Sequence, residues 1–560
     1  MVDIQDKLSN TDAGTDTPTR MTGGQALVAS VLAQGIDTIF ALPGVQLDGA
    51  FDAMYDAEQR GELRVIHPRH EQTAAYMADG YARATGRVGT CLVVPGPGLL
   101  NATAALSTAY ACNTPVLCIT GQIQSDLIDF GRGVLHEIPN QLGMIRSVTK
   151  HAARAVTPAA IPSLVNDAME ALWQGRPRPV EIEVPPATLF ASGDVQLLPG
   201  VEKPARSAGD PDLIEQAAKL LGQAKNPLIF AGGGVIGSGA TEELRELAEL
   251  LQAPVHMSSN GKGALTSRHY LAQSTVTTST TLLPDADVIL AVGTRFVEAT
   301  TYAWKMGPGR TIIQLDIDPE EIGRNYPVAV GIEADARAGL AALIDAVSRH
   351  NIHRDSREAE LSALAAESRR QFDSIQPQAS YANVIRDVLP DDGIFVGEMT
   401  QIAYWSNSGF PVYQPRTYFT PGYQGTLGWG FPTSLGVKVG APDKVVFSIN
   451  GDGGFGFALN ELATQARHGI ASITLVFNDS AYGNVRRIQN VSFNGRTIAS
   501  DLQNPDYRKL AEAFGITGRQ ATSPESLKTH LEESIKANEP TLIEIPVPAM
   551  PDPFKELKLR

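Results

Sequence analysis

The chain reads as an α/β protein made of parallel sheets flanked by helices, and three observations predict it. Apolar strands and helix-forming segments alternate along nearly the whole length, the pattern of parallel layers joined by helical crossovers. At 560 residues and 43% hydrophobic content, the chain is too long for one core, so three domains are expected. Glycine-rich turns recur at the C-terminal ends of strands, which is where open α/β sheets bind ligands.

Taken in order, residues 1–20 are polar and lack the apolar core of a signal peptide, so they are read as a disordered lead. The first domain is expected over 21–190. It has strands ending near Phe40 and spanning 63–66, 89–94 and 180–184, and an alanine-rich helix over 73–83 closed by Gly86. A linker containing Gly and Pro leads to a middle domain over 205–350. There a helix over 214–224 precedes strands at 227–230, 288–292 and 311–317. A charged helix over 355–372 bridges to the third domain, 375–550. Its strands are expected at 393–396, 444–450 and 471–477, with a helix over 455–468 closed by Gly469.

Charge narrows the partners. There are 46 basic and 61 acidic residues, a net charge of −15, which argues against nucleic acid and against an anionic membrane surface. No apolar run reaches membrane-spanning length. Cys91, Cys112 and Cys118 show no metal-binding spacing, and two of them lie in apolar strands. Buried thiols in a reducing, cytoplasmic setting are therefore expected.

The chemistry concentrates in the third domain. Gly451-Asp452-Gly453-Gly454 follows one strand, and Asn478-Asp479 follows the next. Both carboxylates thus emerge at the C-terminal ends of adjacent parallel strands and offer hard oxygen ligands suited to Mg²⁺. The glycines let backbone N–H groups approach phosphate oxygens at a helix start. Taken alone, the same residues are also a strand–turn–helix with a capping aspartate. In the first domain Glu71 opens a helix, where an acid often only complements the helix dipole.

Together these segments resemble the thiamine-diphosphate (ThDP) enzymes, and the acetolactate synthase group in particular, over roughly residues 21–550. The Gly-Asp-Gly and the Asn-Asp twenty-odd residues later are similar to the family's diphosphate motif, with Asp479 standing where the family has a second asparagine. The resemblance implies a three-domain ThDP-enzyme architecture, each domain a parallel sheet flanked by helices. It implies Mg²⁺ held by Asp452, Asp479 and the Ala481 carbonyl, with Tyr482 and Gly483 continuing the loop and Gly451, Gly453 and Gly454 against the diphosphate. The segment His70 to Arg83 resembles the catalytic-glutamate helix, so Glu71 would hydrogen-bond the cofactor's aminopyrimidine and assist deprotonation of the thiazolium C2.

Other segments extend the likeness. Pro43-Gly44 would face the pyrimidine, and Asn101 ends a Gly-Pro-Gly-x-x-Asn loop. Glu398-Met399 would contact the diphosphate. Leu427, in the Gly425–Gly430 loop, would wedge the cofactor into its bent form. Gln122, His70 and His136 are candidates for substrate contact or proton transfer. His70 is equally a helix cap, and His136 equally a solvent-facing loop residue.

Acetolactate synthases hold FAD in the middle domain with help from a Gly-Met-His-Gly segment. The corresponding region here, Gln273 to Thr278, is short, so a middle domain empty of flavin or differently occupied is expected. The family's acceptor-selecting tryptophan, a few residues beyond Arg486-Arg487, is missing. The resemblance implies cleavage and formation of C–C bonds: decarboxylation of a pyruvate-like 2-oxo acid and transfer of the acyl-anion equivalent to a second carbonyl. The small-molecule substrate would be handled at an interface site of a homodimer or homotetramer. The rivals are a lyase or decarboxylase on a 2-hydroxyacyl-CoA, diketone or aryl 2-oxo acid, a catalytically silent family member, and a dinucleotide-dependent dehydrogenase.

Overall fold

A computed structural model describes residues 17–297, 306 and 309–557. Three six-stranded sheets carry the fold, and every pairing within them is parallel. One compact unit, reaching Pro204, contains the first sheet; a second, from Ala205 onward, contains the other two.

In the first unit β1 (Thr19–Thr22) pairs antiparallel with β8 (Ser192–Val195). Between them in sequence lie β2 (Thr38–Ala41), β3 (Arg64–Ile66), β4 (Gly89–Val93), β5 (Val116–Gly121), β6 (His151–Arg154) and β7 (Val180–Val184). Their spatial order is β3-β2-β4-β5-β7-β6. The strands β4, β5 and β7 are buried throughout, as parallel strands covered on both faces must be. Residues 1–16 of the expected lead fall outside the described residues. Its last two residues, Thr19 and Arg20, are ordered in β1, because pairing with β8 satisfies their backbone groups.

The second unit begins with β9 (Pro227–Ala231), β10 (Val255–Met257), β11 (Ala272–Gln273), β12 (Val288–Val292), β13 (Thr311–Asp316) and β14 (Val330–Glu333), in the order β11-β10-β9-β12-β13-β14. Counted within the sheet this is 3-2-1-4-5-6, the doubly wound dinucleotide-fold order. The third sheet comprises β15 (Ile394–Gly397), β16 (Tyr418–Phe419), β17 (Val446–Gly451), β18 (Ile473–Asn478), β19 (Thr517–Gln520) and β20 (Thr541–Pro546), in the order β16-β15-β17-β18-β20-β19.

Counted the same way, the first and third sheets share one order, 2-1-3-4-6-5. In both, the order reverses between the first and third strands, which marks the crevice where a ligand sits. In the first sheet that crevice lies between the C-terminal ends of β2 and β4, beside Gly44 and Pro95–Gly98. In the third it lies between β15 and β17, beside Glu398 and Asp452.

The helix expected over 455–468 is interrupted. A one-turn helix, Asp452–Phe455, is followed by a 3-10 turn, Leu459–Glu461, and a helix, Leu462–Arg467. Gly456, Phe457 and Ala458 separate the first two, and Phe457 stays exposed while Phe455 is buried, so no continuous apolar stripe can seat one long helix.

Candidate active site and metal centre

The third-sheet crevice collects its groups from four strand ends. β17 runs directly into the helix Asp452–Phe455, so Asp452 occupies a first helical turn and is 2% exposed. Asp479 follows β18, the neighbouring strand, in register with it through Gly451 and Phe477. The Asp452 Oδ2 accepts a hydrogen bond from the Ala481 N–H at 3.2 Å and from Asn504 Nδ2 at 2.6 Å. Burial lifts the Asp452 carboxyl to about 6, against the Asn504 hydrogen bond, and the nearby Asp479 charge adds to the lift. Burial also raises Asp479, opposed by Arg486.

Two neighbouring carboxylates, one buried and one partly buried, offer hard oxygen donors suited to a divalent cation, which would offset the burial cost and the Asp479 charge that together raise Asp452. No three His, Cys, Asp or Glu side chains gather around a common point among the described residues. A cation here would need further oxygen donors, and the Ala481 backbone, whose N–H meets Asp452, is fixed by pairing with Asp501. The glycines fit a phosphate-cradling role for steric reasons. A Cβ at Gly454 would collide with Glu398 Oε1, one at Gly453 would press on the Tyr482 ring, and one at Gly483 would collide with Asp479 Oδ2. The donor set and the glycine cradle thus fit Mg²⁺ and a diphosphate.

The helix Gly483–Ser492 leaves this loop and buries none of its side chains. Its polar face is tied down by ions. Arg486 lies 3.7 Å from Asp479 Oδ2 and 3.1 Å from Asp501 Oδ1, and Arg487 lies 2.5 Å from Asp552 Oδ2. Arg486 therefore offsets the charge that Asp479 adds relative to asparagine.

Glu398, expected beside the diphosphate, is held by the neighbouring loop. It follows β15 directly and is 1% exposed, and its Oε1 accepts the Gly428 N–H at 2.6 Å. Its Oε2 and Asn450 Oδ1 have no hydrogen-bond partner among the described residues. Both face Gly430, where a Cβ would lie 3.0 Å from the former and 2.6 Å from the latter. Burial pushes this carboxyl up to about 7, although the Gly428 and Gly430 amides pull it down. Glu398 thus supports the 425–430 loop from below. Above it Leu427 is only half-buried, and Met399 packs 3.4 Å from a Cβ position on Gly425.

The first-sheet crevice holds Glu71 in the opening turn of the helix Glu71–Thr85. Asn101 Nδ2 donates to Glu71 Oε2 at 3.1 Å, and Gly98 leaves only 3.3 Å between a Cβ position and Glu71 Oε1. The structure therefore brings together Glu71, Asn101 and the Pro95–Gly98 turn, with Gly44 packed so closely on Val94 that a Cβ would collide. His70 caps the helix: its Nδ1 accepts from the Gln72 N–H at 3.1 Å. Gln122 has both amide ends engaged, donating to Glu183 Oε1 at 3.0 Å and accepting from the Ile123 N–H. His136 adopts a left-handed backbone, φ 68°, and pairs through Nδ1 with Gln46 Oε1 at 3.1 Å.

Pattern reading missed Gln141 and Asn504. Gln141 bonds at once to Gly96 N, Gly121 O and Glu183, fixing the turn beside Glu71. In the middle sheet Gly232 and Gly234 pack against the backbone of Gly293, where a Cβ would clash. Close loop packing at the β9/β12 switch point therefore accounts for these glycines.

The comparisons agree with this geometry. Three thiamine pyrophosphate enzyme models match in order: the N-terminal TPP-binding domain over 21–144, the central domain over 214–343 and the C-terminal TPP-binding domain over 398–545. A probable acetolactate synthase large subunit of Methanocaldococcus jannaschii is 35% identical over 559 residues, covering 95% of this chain and 93% of that protein. A probable 2-ketoarginine decarboxylase of Pseudomonas aeruginosa is 33% identical, covering 94% of each. The acetolactate synthase isozyme 3 large subunit of Escherichia coli is 30% identical, covering 92% of each. With three family models matching in order and relatives at 30–35% identity covering 92–95% of it, the chain belongs to the thiamine pyrophosphate enzyme family as an acetolactate synthase-like member.

Proposed function

We propose that the protein is a ThDP- and Mg²⁺-dependent carboligase that decarboxylates a pyruvate-like 2-oxo acid and joins the remaining acyl unit to a second carbonyl. The observation that carries it is the Asp452–Asp479 pair at the β17 and β18 ends, both carboxyls raised chiefly by burial. When bound, thiamine diphosphate supplies the nucleophilic carbon and the electron sink for C–C cleavage.

In this reading Asp452, Asp479 and the Ala481 carbonyl hold the metal. The backbone around Gly451, Gly453, Gly454 and Gly483, with Tyr482, cradles the diphosphate. Glu71, oriented by Asn101, exchanges a proton with the pyrimidine nitrogen. Pro43, Gly44 and Leu427 shape the cofactor's seat, with Met399 beside Gly425. His136 is the group placed to hand a proton to the substrate oxygen. His70 and Gln122 act one step back, as helix cap and loop brace. We propose a homodimer or homotetramer working in the cytoplasm, in keeping with the buried thiols of Cys91 and Cys118, and with no flavin in the middle domain.

A second reading is decarboxylation of a larger 2-oxo acid ended by a proton. It is favoured by the 2-ketoarginine decarboxylase likeness and by the lack of tryptophan after Arg487. The test is CO₂ release and product analysis by mass spectrometry, with and without ThDP and Mg²⁺, while the flavin absorbance of the purified protein is recorded. Acetolactate from pyruvate supports the carboligase. An aldehyde from a larger oxo acid, with pyruvate inert, selects the decarboxylase. Turnover independent of ThDP refutes both.

A further inference from the structure

The metal-facing carboxylate of Asp452 has two oxygens with different surroundings. Its Oδ2 takes two N–H donors, Ala481 N at 3.2 Å and Asn504 Nδ2 at 2.6 Å. The same Asn504 amide reaches Asn478 Oδ1 at 3.0 Å. Asn478 in turn donates to Glu544 Oε1 at 2.8 Å and accepts from the Ser480 N–H at 3.1 Å. A chain of amides and carboxylates therefore runs from β20 through the end of β18 to Asp452.

Asn504 belongs to no helix or strand, yet its position is set. Tyr482 N donates to Ser500 O and Leu502 N to Ser480 O, both at 2.8 Å, and Ala481 bridges Asp501. These bonds zip the 500–502 segment onto the metal loop. The helix Tyr507–Ala513, capped by Asp506, anchors the other side.

We propose that Asn504 is a positioning residue for the metal site. Its carboxamide pins Asp452 Oδ2 so that Oδ1 is presented to the divalent cation, and it locks the Asp452 and Asp479 loops together through Asn478. This rests on the reading of Asp452 as a metal ligand. Outer-shell partners of ligating carboxylates fix ligand direction, and their loss typically costs about 10–100-fold in metal affinity. Direction matters most for Mg²⁺, which demands near-octahedral geometry, and less for Ca²⁺, which tolerates irregular shells.

The experiment is calorimetric titration of Mg²⁺, and separately Ca²⁺, into the full-length protein with saturating ThDP. It compares wild type, Asn504→Ala, Asn504→Asp and Asp452→Ala, with the melting temperature of each metal-free protein measured alongside. The expected result is a loss of about 10–100-fold in Mg²⁺ affinity for Asn504→Ala. The Mg²⁺/Ca²⁺ preference shifts toward Ca²⁺, and the metal-free melting temperature stays near wild type.

Asn504→Asp keeps the shape but opposes an oxygen to Asp452 Oδ2, so it is expected to weaken Mg²⁺ as well. It also carries the test if the alanine variant fails to fold. Mg²⁺ affinity within threefold of wild type overturns the inference, as does tighter binding by Asn504→Asp, which would make charge rather than direction the controlling quantity. An unchanged Mg²⁺/Ca²⁺ preference alongside a lowered metal-free melting temperature overturns it too. If wild type and Asp452→Ala bind Mg²⁺ alike, the metal-ligand reading itself falls, which the wild-type comparison separates from failure at Asn504.

Discussion

Replacing Glu398 by Gln should stabilise the metal-free protein at neutral pH and flatten its pH profile. The folded carboxyl titrates near 7, against 4.5 as the reference value, chiefly because it is buried. Below 4.5 it is protonated in both the folded and the unfolded chain and costs nothing. Between 4.5 and 7 the unfolded chain ionises while the folded one retains its proton, so stability falls as pH rises, by about 1.4 kcal/mol per unit. Above 7 the whole difference, about 3 kcal/mol, has been lost. The neutral amide removes that penalty. Its Oε1 keeps the Gly428 hydrogen bond.

The assay is the melting temperature of wild type and Glu398→Gln from pH 5 to 8 in chelator. At roughly 2–4 °C per kcal/mol for a domain of this size, the two curves should part by on the order of 10 °C at pH 8 and converge toward pH 5. The raised Asp452 carboxyl bends both curves in the same sense and cancels in the difference. Parallel curves, or a variant that melts lower at pH 8, would refute the picture of a strained buried acid beneath the 425–430 loop.

Glu71→Gln should leave ThDP binding nearly intact while slowing H/D exchange at the cofactor C2 by on the order of 10²–10⁴; normal exchange would remove Glu71 from its role. Asp452→Ala should abolish Mg²⁺-dependent ThDP binding, and micromolar binding retained in calorimetry would sink the anchor. Asp479→Asn keeps an oxygen ligand and should hold affinity within about tenfold, whereas Asp479→Ala should not. Gly454→Ala should destabilise the protein by about 1–3 kcal/mol, read as a lower metal-free melting temperature, because its methyl would collide with Glu398 Oε1.

The sheets and the crevice that holds Asp452 and Asp479 were legible because their signals are local. Val446–Gly451 and Ile473–Asn478 are apolar runs that end in glycine or in Asn-Asp, and the spacing alone puts both acids at strand ends. The helix Glu71–Thr85 was equally plain from its alanine content. What stayed hidden depends on partners distant in sequence. Asn504 meets Asp452 across 52 residues and Gln141 meets Gly96 across 45, and nothing around either residue marks it. Glu398 reads as a strand-end acid, and its burial against Gly428, Gly430 and Gly454 depends on a loop some 30 residues away that the local pattern does not show. The strand β1 has no apolar pattern of its own, since it is ordered by pairing with a segment more than 170 residues later.

The helix Gly483–Ser492 has a consequence for how the protein breathes. With no fully buried side chain, it gains little from apolar packing, and a lone ten-residue helix is marginal in water. Its order is therefore borrowed from the ionic tethers at Arg486 and Arg487. Segments of this kind open at free energies far below global unfolding, so their amides exchange with solvent early. One tether ends on Asp479, the carboxylate proposed to share a metal with Asp452. The exchange rate along 483–492 thus becomes a gauge of that carboxylate's state, readable without any substrate turning over.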